Sequence, residues 1–318
     1  ITEFGGPDVM HLVELDTPNP GAGQELIKVS AIGINYADTH QTENSYLSPQ
    51  KLPLVPGIEV VGTHDGKRYL ASVSSGGYAE KAVAHKAVMF PIPDGVTDEQ
   101  AVCMLVQGTT AWHLLKTMGN VKPGESVVVH AAAGGVGTIA IQLAKLWGAK
   151  VIAVTSSADK SALATSLGAD SVVDAKSEDL AKAIREANGG KRVDIVLEMV
   201  GGTTFDQSLL ALADFGRLLT FGMASRTAPT PVHPGRHSGP GAAPGCACRA
   251  GVTENQIPQP PPPALSSGPL AAASRFFHCA RPSPERHHGA PAPRSRAASS
   301  RNHTPLRATG SGRPHRSG

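Results

Sequence analysis

The apolar run Val127-Val128-Val129 ends at His130 and passes through Ala131-Ala132-Ala133-Gly134-Gly135-Val136-Gly137 into a stretch with helical periodicity to Trp147. Strand, glycine turn and helix follow in that order, and no other segment narrows the architecture as far. The turn is a variant of the G-x-G-x-x-G fingerprint, with Ala132 in place of the first glycine, Gly134 as the second and Gly137 as the third. Gly134 lets the backbone approach a pyrophosphate. Gly137 lets the helix pack closely on the strand. The helix start after Gly135 offers unpaired N–H groups and the positive end of a dipole. Ala133, Gly134, Gly135, Val136 and Gly137 are therefore candidate nucleotide-binding residues.

The rest of that region repeats the alternation. Strands are predicted at 150–154, 171–173, 193–197 and 217–221, with helices over 136–147, 158–167, 177–187 and 203–212. The strands are short, β-branched and apolar on both faces, as parallel strands buried between two layers are. Such a pattern predicts an α/β domain with a doubly wound parallel sheet. Residues 1–96 read differently. Apolar runs at 24–32, 58–61 and 78–83 are punctuated by Gly and Pro, which predicts a small, irregular, barrel-like β-rich domain. Thr97, followed by Asp98, Glu99 and Gln100, predicts a helix start, and the helix is expected to run to about Met118.

Composition breaks at Ser225. All 13 Lys precede it, whereas the 93 residues of 226–318 carry 12 Arg, 17 of the 26 Pro and only two acids. The body has a net charge of −7 and the tail +10. With so few large apolar residues the tail cannot offset its ordering entropy, so a disordered C-terminal tail is expected. Abundant Arg without Lys is also what a GC-rich frame read out of phase would give, and an out-of-frame origin is the expectation here. A nucleic-acid-binding arm fits less well, because the tail has no Lys and its only aromatics are Phe276 and Phe277. The predicted organisation is thus a substrate domain over 1–96, a nucleotide domain over 97–225 and the tail over 226–318. Cys103 reads as a small core residue, and no disulfide or zinc-knuckle spacing is present. No run of about 18 apolar residues occurs. The expectation is a cytoplasmic protein with a small-molecule substrate and neither a membrane nor a nucleic-acid partner.

The end of the second strand of the nucleotide half reads Val154-Thr155-Ser156-Ser157-Ala158-Asp159-Lys160. An NAD site usually places a carboxylate there for the ribose hydroxyls. Ser156 and Lys160 offer hydroxyl and ammonium groups to a 2′-phosphate instead, which points to NADPH. Ser157 doubles as a helix cap, and Asp159 is the one carboxylate able to turn toward a ribose.

Several motifs together resemble the medium-chain dehydrogenase/reductase superfamily, and within it the quinone oxidoreductase branch of the zeta-crystallin type. They are Gly33-Ile34-Asn35-Tyr36-Ala37-Asp38, Pro56-Gly57-Ile58-Glu59-Val60-Val61-Gly62, Gln107-Gly108-Thr109-Thr110-Ala111-Trp112, Ala131 through Gly137, Val200-Gly201-Gly202 and Phe221-Gly222. The resemblance covers about residues 1–225. It implies a GroES-like N-terminal domain followed by a Rossmann domain. It also implies that Asn35 and Tyr46 face nicotinamide and substrate, and that Thr110, Val200, Phe221 and Gly222 line the cofactor. Asp38 and Glu59 are expected to brace the fold. Asn35, Ile58 and Val106 stand where zinc-dependent members carry metal ligands and cannot replace them, so a zinc-independent enzyme is implied, with no Lewis acid for alcohol oxidation.

The implied activity is hydride transfer from NADPH to a quinone or activated enone. The alternatives are an enoyl or alkenal reductase of the same superfamily, or a truncated, inactive nucleotide-binding product. Departures from the family pattern include Thr42 in place of Arg and Ala175 in place of a Tyr near the 2′-phosphate. A sixth strand is missing, and the family's homodimer interface is expected to go with it.

Overall fold

A computed structural model describes residues 1–45 and 49–228 of the 318-residue chain. The expectations placed on Tyr46 and on the tail from residue 229 onward lie outside the described residues.

The N-terminal half is an antiparallel sheet. Strands β1 (Gln24–Ile32), β2 (Glu59–His64), β3 (Lys67–Ser72), β4 (Lys81–His85) and β5 (Met89–Pro91) take the order β4-β1-β2-β3-β5. Ile27, Val29, Val60, Ala71, Ala82 and Ala84 bury one face of it. Strand β3 is not among the strands expected from sequence, although its signal is present. Asp65 and Gly66 both adopt positive φ, at 46° and 72°. They close a two-residue hairpin in which His64 pairs with Lys67, the arrangement an Asp-Gly pair favours. The strand expected at 78–83 begins instead at Lys81, after a stretch of turns. A short helix, α1 (Tyr36–Thr42), follows β1 and is likewise additional to the expected elements; Asp38 caps it by accepting from the Asn35 N–H at 2.8 Å.

The connecting helix starts where Thr97 predicts. The Thr97 hydroxyl accepts from Gln100 N at 3.2 Å, and Gln100 Oε1 accepts from Thr97 N at 3.0 Å, a reciprocal cap. It is not uniform. Segments α2 (Asp98–Val102) and α3 (Thr109–Trp112) are separated by a π-helical turn over Met104–Gly108, and a second π turn covers His113–Met118. Wide turns of this kind re-aim side chains and are common beside functional sites.

The second sheet holds β6 (Ser126–Val129), β7 (Lys150–Thr155), β8 (Ser171–Asp174), β9 (Val193–Glu198) and β10 (Leu212–Thr220) in the order β10-β9-β6-β7-β8, every pairing parallel. Helices α4 (Gly135–Leu146), α5 (Ala158–Ser166), α6 (Leu180–Ala187) and α7 (Gly202–Ala211) connect them. Alternate residues of one strand serve two layers. Val127 and Val129 pack with Ile139, Ala140 and Ile141 of α4. Val128 packs with Leu180, Ala181 and Ile184 of α6 and Ala211 of α7. The sheet is therefore doubly wound, as the two-sided apolarity of its strands predicts, and each fully buried Val, Ile or Leu contributes about 1.5–3 kcal/mol. Helix α6 begins three residues later than expected because Asp179, not Ser177, caps it, accepting from Lys182 N at 2.8 Å. Strand β10 begins earlier than expected, at Leu212, but its register jumps between Leu212 and Arg217. The intervening bulge holds Phe215 at φ 63°.

Candidate active site

Parallel strands bring all their carboxyl ends to one edge, and the candidate residues of the nucleotide half gather there. Ala133–Gly137 follow β6, Ser156 follows β7, Val200 follows β9, and Phe221 and Gly222 follow β10. Hydrogen bonds fix these ends to one another. Ala132 N donates to Val154 O at 3.2 Å, His130 N to Leu197 O at 3.2 Å and Phe221 N to Glu198 O at 3.0 Å. A doubly wound sheet binds its ligands at this edge, where the strand order reverses between β6 and β9.

The glycine turn has the expected shape. Gly134 is the residue before helix α4, in an extended conformation, and the first intrahelical bond runs from Thr138 N to Gly134 O at 2.9 Å. The N–H groups of Gly135, Val136 and Gly137 thus belong to the helix's first turn, which leaves them without intrahelical acceptors. A Cβ at Gly137 would lie 2.5 Å from Ala131 O and 2.7 Å from Ala132 O, so only glycine lets the helix start sit on the loop. A Cβ at Gly134 would meet only Ala131 O, at 3.1 Å, and its Cα lies exposed. Ala131, not Ala132, carries the left-handed backbone of the turn, at φ 47°. Bare amides, a bare exposed Cα and a dipole end fit a diphosphate.

Ser156 and Lys160 also meet. Lys160 Nζ lies 3.3 Å from Ser156 Oγ, both side chains are exposed, and Ser157 caps helix α5. The pair presents a hydroxyl and a positive charge beside the turn, which fits a phosphate on a ribose. Asp159 is exposed in the same first turn. Thr110 lies half-buried on α3, which packs against α4.

Asn35 is buried at the start of α1, and its carboxamide is held from two sides. Nδ2 donates to Glu59 Oε1 at 2.7 Å, and Oδ1 accepts from Gln107 Nε2 at 3.2 Å. The second oxygen of Glu59 accepts from Val106 N at 2.9 Å. Glu59 is fully buried, and loss of water pushes its carboxyl up to about 7 against the pull of those two donors. Asp38, on the other side of Asn35, accepts from Tyr78 OH at 2.7 Å, and burial raises its carboxyl as well. Both acids hold the local structure together, as expected. Asn35, Ile58 and Val106 supply one occupied carboxamide and two aliphatic side chains, a donor set that does not fit zinc. Among the described residues no three His, Cys, Asp or Glu side chains converge on a possible metal position.

Two models of known families match: an alcohol dehydrogenase GroES-like domain over residues 21–66 and a zinc-binding dehydrogenase domain over residues 135–237. Quinone oxidoreductase 1 of Escherichia coli is 34% identical over 237 residues, 70% of this chain and 72% of that protein. The chain belongs to the quinone oxidoreductases of the medium-chain dehydrogenase/reductase superfamily. Among solved structures, a mycobacterial protein complexed with NADPH is 42% identical, with a TM-score of 0.69 over 74% of this chain and 75% of that one. The Escherichia coli quinone oxidoreductase complexed with NADPH is 33% identical, with a TM-score of 0.69 over 73% and 74%.

Three features of the chain are not apparent from sequence alone. Gln107 stands out there only as part of a motif, yet it joins Asn35 to the start of α4. Glu198 ends β9 fully buried and accepts from Val200 N at 2.7 Å and Gly201 N at 2.9 Å, fixing the turn into α7. Arg226, assigned by composition to the tail, ties the loop after β10 to α1. Its guanidinium pairs with Glu43, donates to Thr39 and Ser45 at 3.2 and 3.1 Å, and stacks 5.8 Å over the Tyr36 ring. The second family match likewise runs past Ser225, to residue 237.

Proposed function

We propose that this protein is a zinc-independent reductase that transfers hydride from NADPH to a quinone or an activated enone. One observation carries the reading: the first-turn amides of α4 and the Ser156–Lys160 pair lie at one sheet edge, where a diphosphate and a 2′-phosphate can be held together. The NADPH complexes of the mycobacterial and Escherichia coli relatives support it. NADPH supplies the hydride, and the protein supplies placement and polarity.

Gly135, Val136 and Gly137 would hold the diphosphate through their N–H groups. Ala133 and Gly134 would lie along the diphosphate, Ser156 and Lys160 would hold the 2′-phosphate, and Thr110, Val200, Phe221 and Gly222 would line the nicotinamide side. A carboxamide nitrogen carries two hydrogens. Glu59 takes one from Asn35 Nδ2, and the other would stabilise the oxyanion forming on the acceptor. Tyr46 would either add a second donor or wall the pocket. Residues 1–96 form the substrate half and 97–225 the nucleotide half of this proposal, which is set in the cytoplasm. Among the described residues no helix is long and apolar enough to cross a membrane.

The test is Lys160→Ala. A hydrogen bond to a charged group contributes about 1.5–3 kcal/mol. The variant should raise KM for NADPH tenfold or more and leave NADH turnover unchanged, with 1,4-benzoquinone as acceptor. Equal effects on both cofactors would remove Lys160 from the phosphate site. The alternative, an enoyl or alkenal reductase, predicts faster turnover with crotonaldehyde than with benzoquinone, and the same assay separates the two.

A further inference from the structure

We propose that Gln107 is a positioning residue that sets the orientation of the Asn35 carboxamide from the π turn over Met104–Gly108, where its side chain packs against Gly135 of α4. The proposal rests on the reductase reading above, because the orientation matters only if Asn35 donates to substrate.

The π turn over Met104–Gly108 carries two arms that end on the same pair of side chains. Val106 N reaches Glu59 Oε2 at 2.9 Å, and Gln107 Nε2 reaches Asn35 Oδ1 at 3.2 Å and Ile34 O at 3.4 Å. Residues 35, 59, 106 and 107 thereby form one closed network with a definite polarity. Both neighbours of Gln107 Nε2 are acceptors, so that nitrogen has to face them, and Asn35 Oδ1 has to face Gln107. Asn35 Nδ2 is left toward Glu59. A carboxamide held by only one partner can flip and exchange donor for acceptor. Held by two, it cannot.

The other end of Gln107 touches the phosphate turn. A Cβ at Gly135 would fall within the Gln107 carboxamide, 2.8 Å from Nε2 and nearer still to Oε1 and Cδ. Oε1 itself is buried and has no hydrogen-bond partner among the described residues. A buried, unpaired carbonyl oxygen is costly, so packing alone would favour an apolar side chain of this size. The amide is retained for its donor end, which holds Asn35.

The experiment is Gln107→Leu in the full chain, with Gln107→Met as the replacement should the Leu variant not fold. Without that donor, Asn35 can turn Oδ1 toward the Glu59 carboxyl when it is protonated, so the neutral acid gains an acceptor that the parent denies it. Carboxyl-carbon NMR of the protein without nucleotide should show the Glu59 midpoint raised by half a pH unit or more. The melting temperature should stay within a few degrees, since an unpaired oxygen is lost along with the bond. With NADPH and benzoquinone, kcat should fall tenfold or more while KM for quinone changes less than threefold. A Glu59 midpoint and a kcat both at the parent values would reduce Gln107 to packing and overturn the proposal. If the parent itself fails to reduce quinone with NADPH, the reductase reading falls. The Glu59 titration still decides whether Gln107 orients Asn35.

Discussion

Gly137→Ala should leave a folded protein with almost no affinity for NADPH. The added methyl lies 2.5 Å from Ala131 O, 2.7 Å from Ala132 O and 2.8 Å from Ala132 C. These are backbone atoms of the turn itself, so no side chain can swing away, and the start of α4 has to lift from the loop. Overpacking of this kind costs about 1–3 kcal/mol, and each kcal/mol lowers Tm by about 2–4 °C at this domain size. Binding suffers more than stability. The N–H groups of Gly135, Val136 and Gly137 move with the helix, and losing two charge-assisted bonds of about 1.5–3 kcal/mol each weakens binding roughly 100-fold or more. Gly134→Ala is the matched comparison. Its Cβ meets only Ala131 O, at 3.1 Å, so Tm should hardly change while an exposed methyl now stands over the turn. Titration with NADPH, followed by the rise in Tm, reads both variants. Undiminished stabilisation of Gly137→Ala by NADPH would show that the turn does not grip the nucleotide.

The nucleotide half is legible in the sequence because its signals are local. A strand buried on both faces must be apolar throughout, and Val127, Val128 and Val129 are at most 1% exposed. Thr97 and Ser157 announce helix starts by residue type alone. Gly137 announces a close approach that no other residue permits. The chemistry of the N-terminal half is less legible, because its partners are remote in sequence. Asn35 and Glu59 are 24 residues apart, and Asn35 and Gln107 are 72 apart. Only the π turn, which has no sequence signature, aims Val106 and Gln107 at the same pair. One signal is available: Glu59 sits inside the apolar run Ile58-Glu59-Val60-Val61, where a charge survives only with partners. Arg226 shows the opposite error. Its composition belongs with the tail, but its guanidinium serves Glu43 and Tyr36, and bulk composition does not reveal single contacts.

Asn35 therefore sits at the junction of two kinds of restraint. The Glu59 carboxylate holds its nitrogen from the antiparallel sheet, and Gln107 holds its oxygen from the helix that leads to the parallel one. Tyr36 OH donates to Ala224 O at 3.1 Å from the next position in α1, so the loop after β10 is tied to the same short helix. In the proposed function Asn35 donates to a developing charge, and such a donor gains most when it is fixed before the reaction begins.

Glu59→Gln should reverse the order of stability between variant and parent as pH rises. Burial lifts the Glu59 carboxyl from 4.5 to about 7 in the folded protein. An acid raised in this way contributes its full stabilisation below the unfolded value and loses it as pH climbs through the folded one. The parent therefore loses roughly 3 kcal/mol from this group between about pH 4.5 and pH 7 and above, at 1.36 kcal/mol per unit. Asp38, also raised, adds to that trend, while His130, buried and lowered to about 4, opposes it at the acid end. Both remain in the variant, so the difference between the two proteins isolates Glu59. The replacing carboxamide has one oxygen for the two donors Asn35 Nδ2 and Val106 N, so at pH 5 the variant should melt at or below the parent. At pH 8 the parent carries a buried charge and the variant does not, and the variant should then melt higher, with the difference moving by about 5 °C or more. Turnover should fall at every pH, because the single carboxamide oxygen at position 59 cannot accept from Asn35 Nδ2 and Val106 N together, and Asn35 loses one of its two restraints. A melting difference that stays flat from pH 5 to pH 8 would mean that Glu59 titrates as an ordinary carboxyl, and that the network around Asn35 is held by something other than its charge.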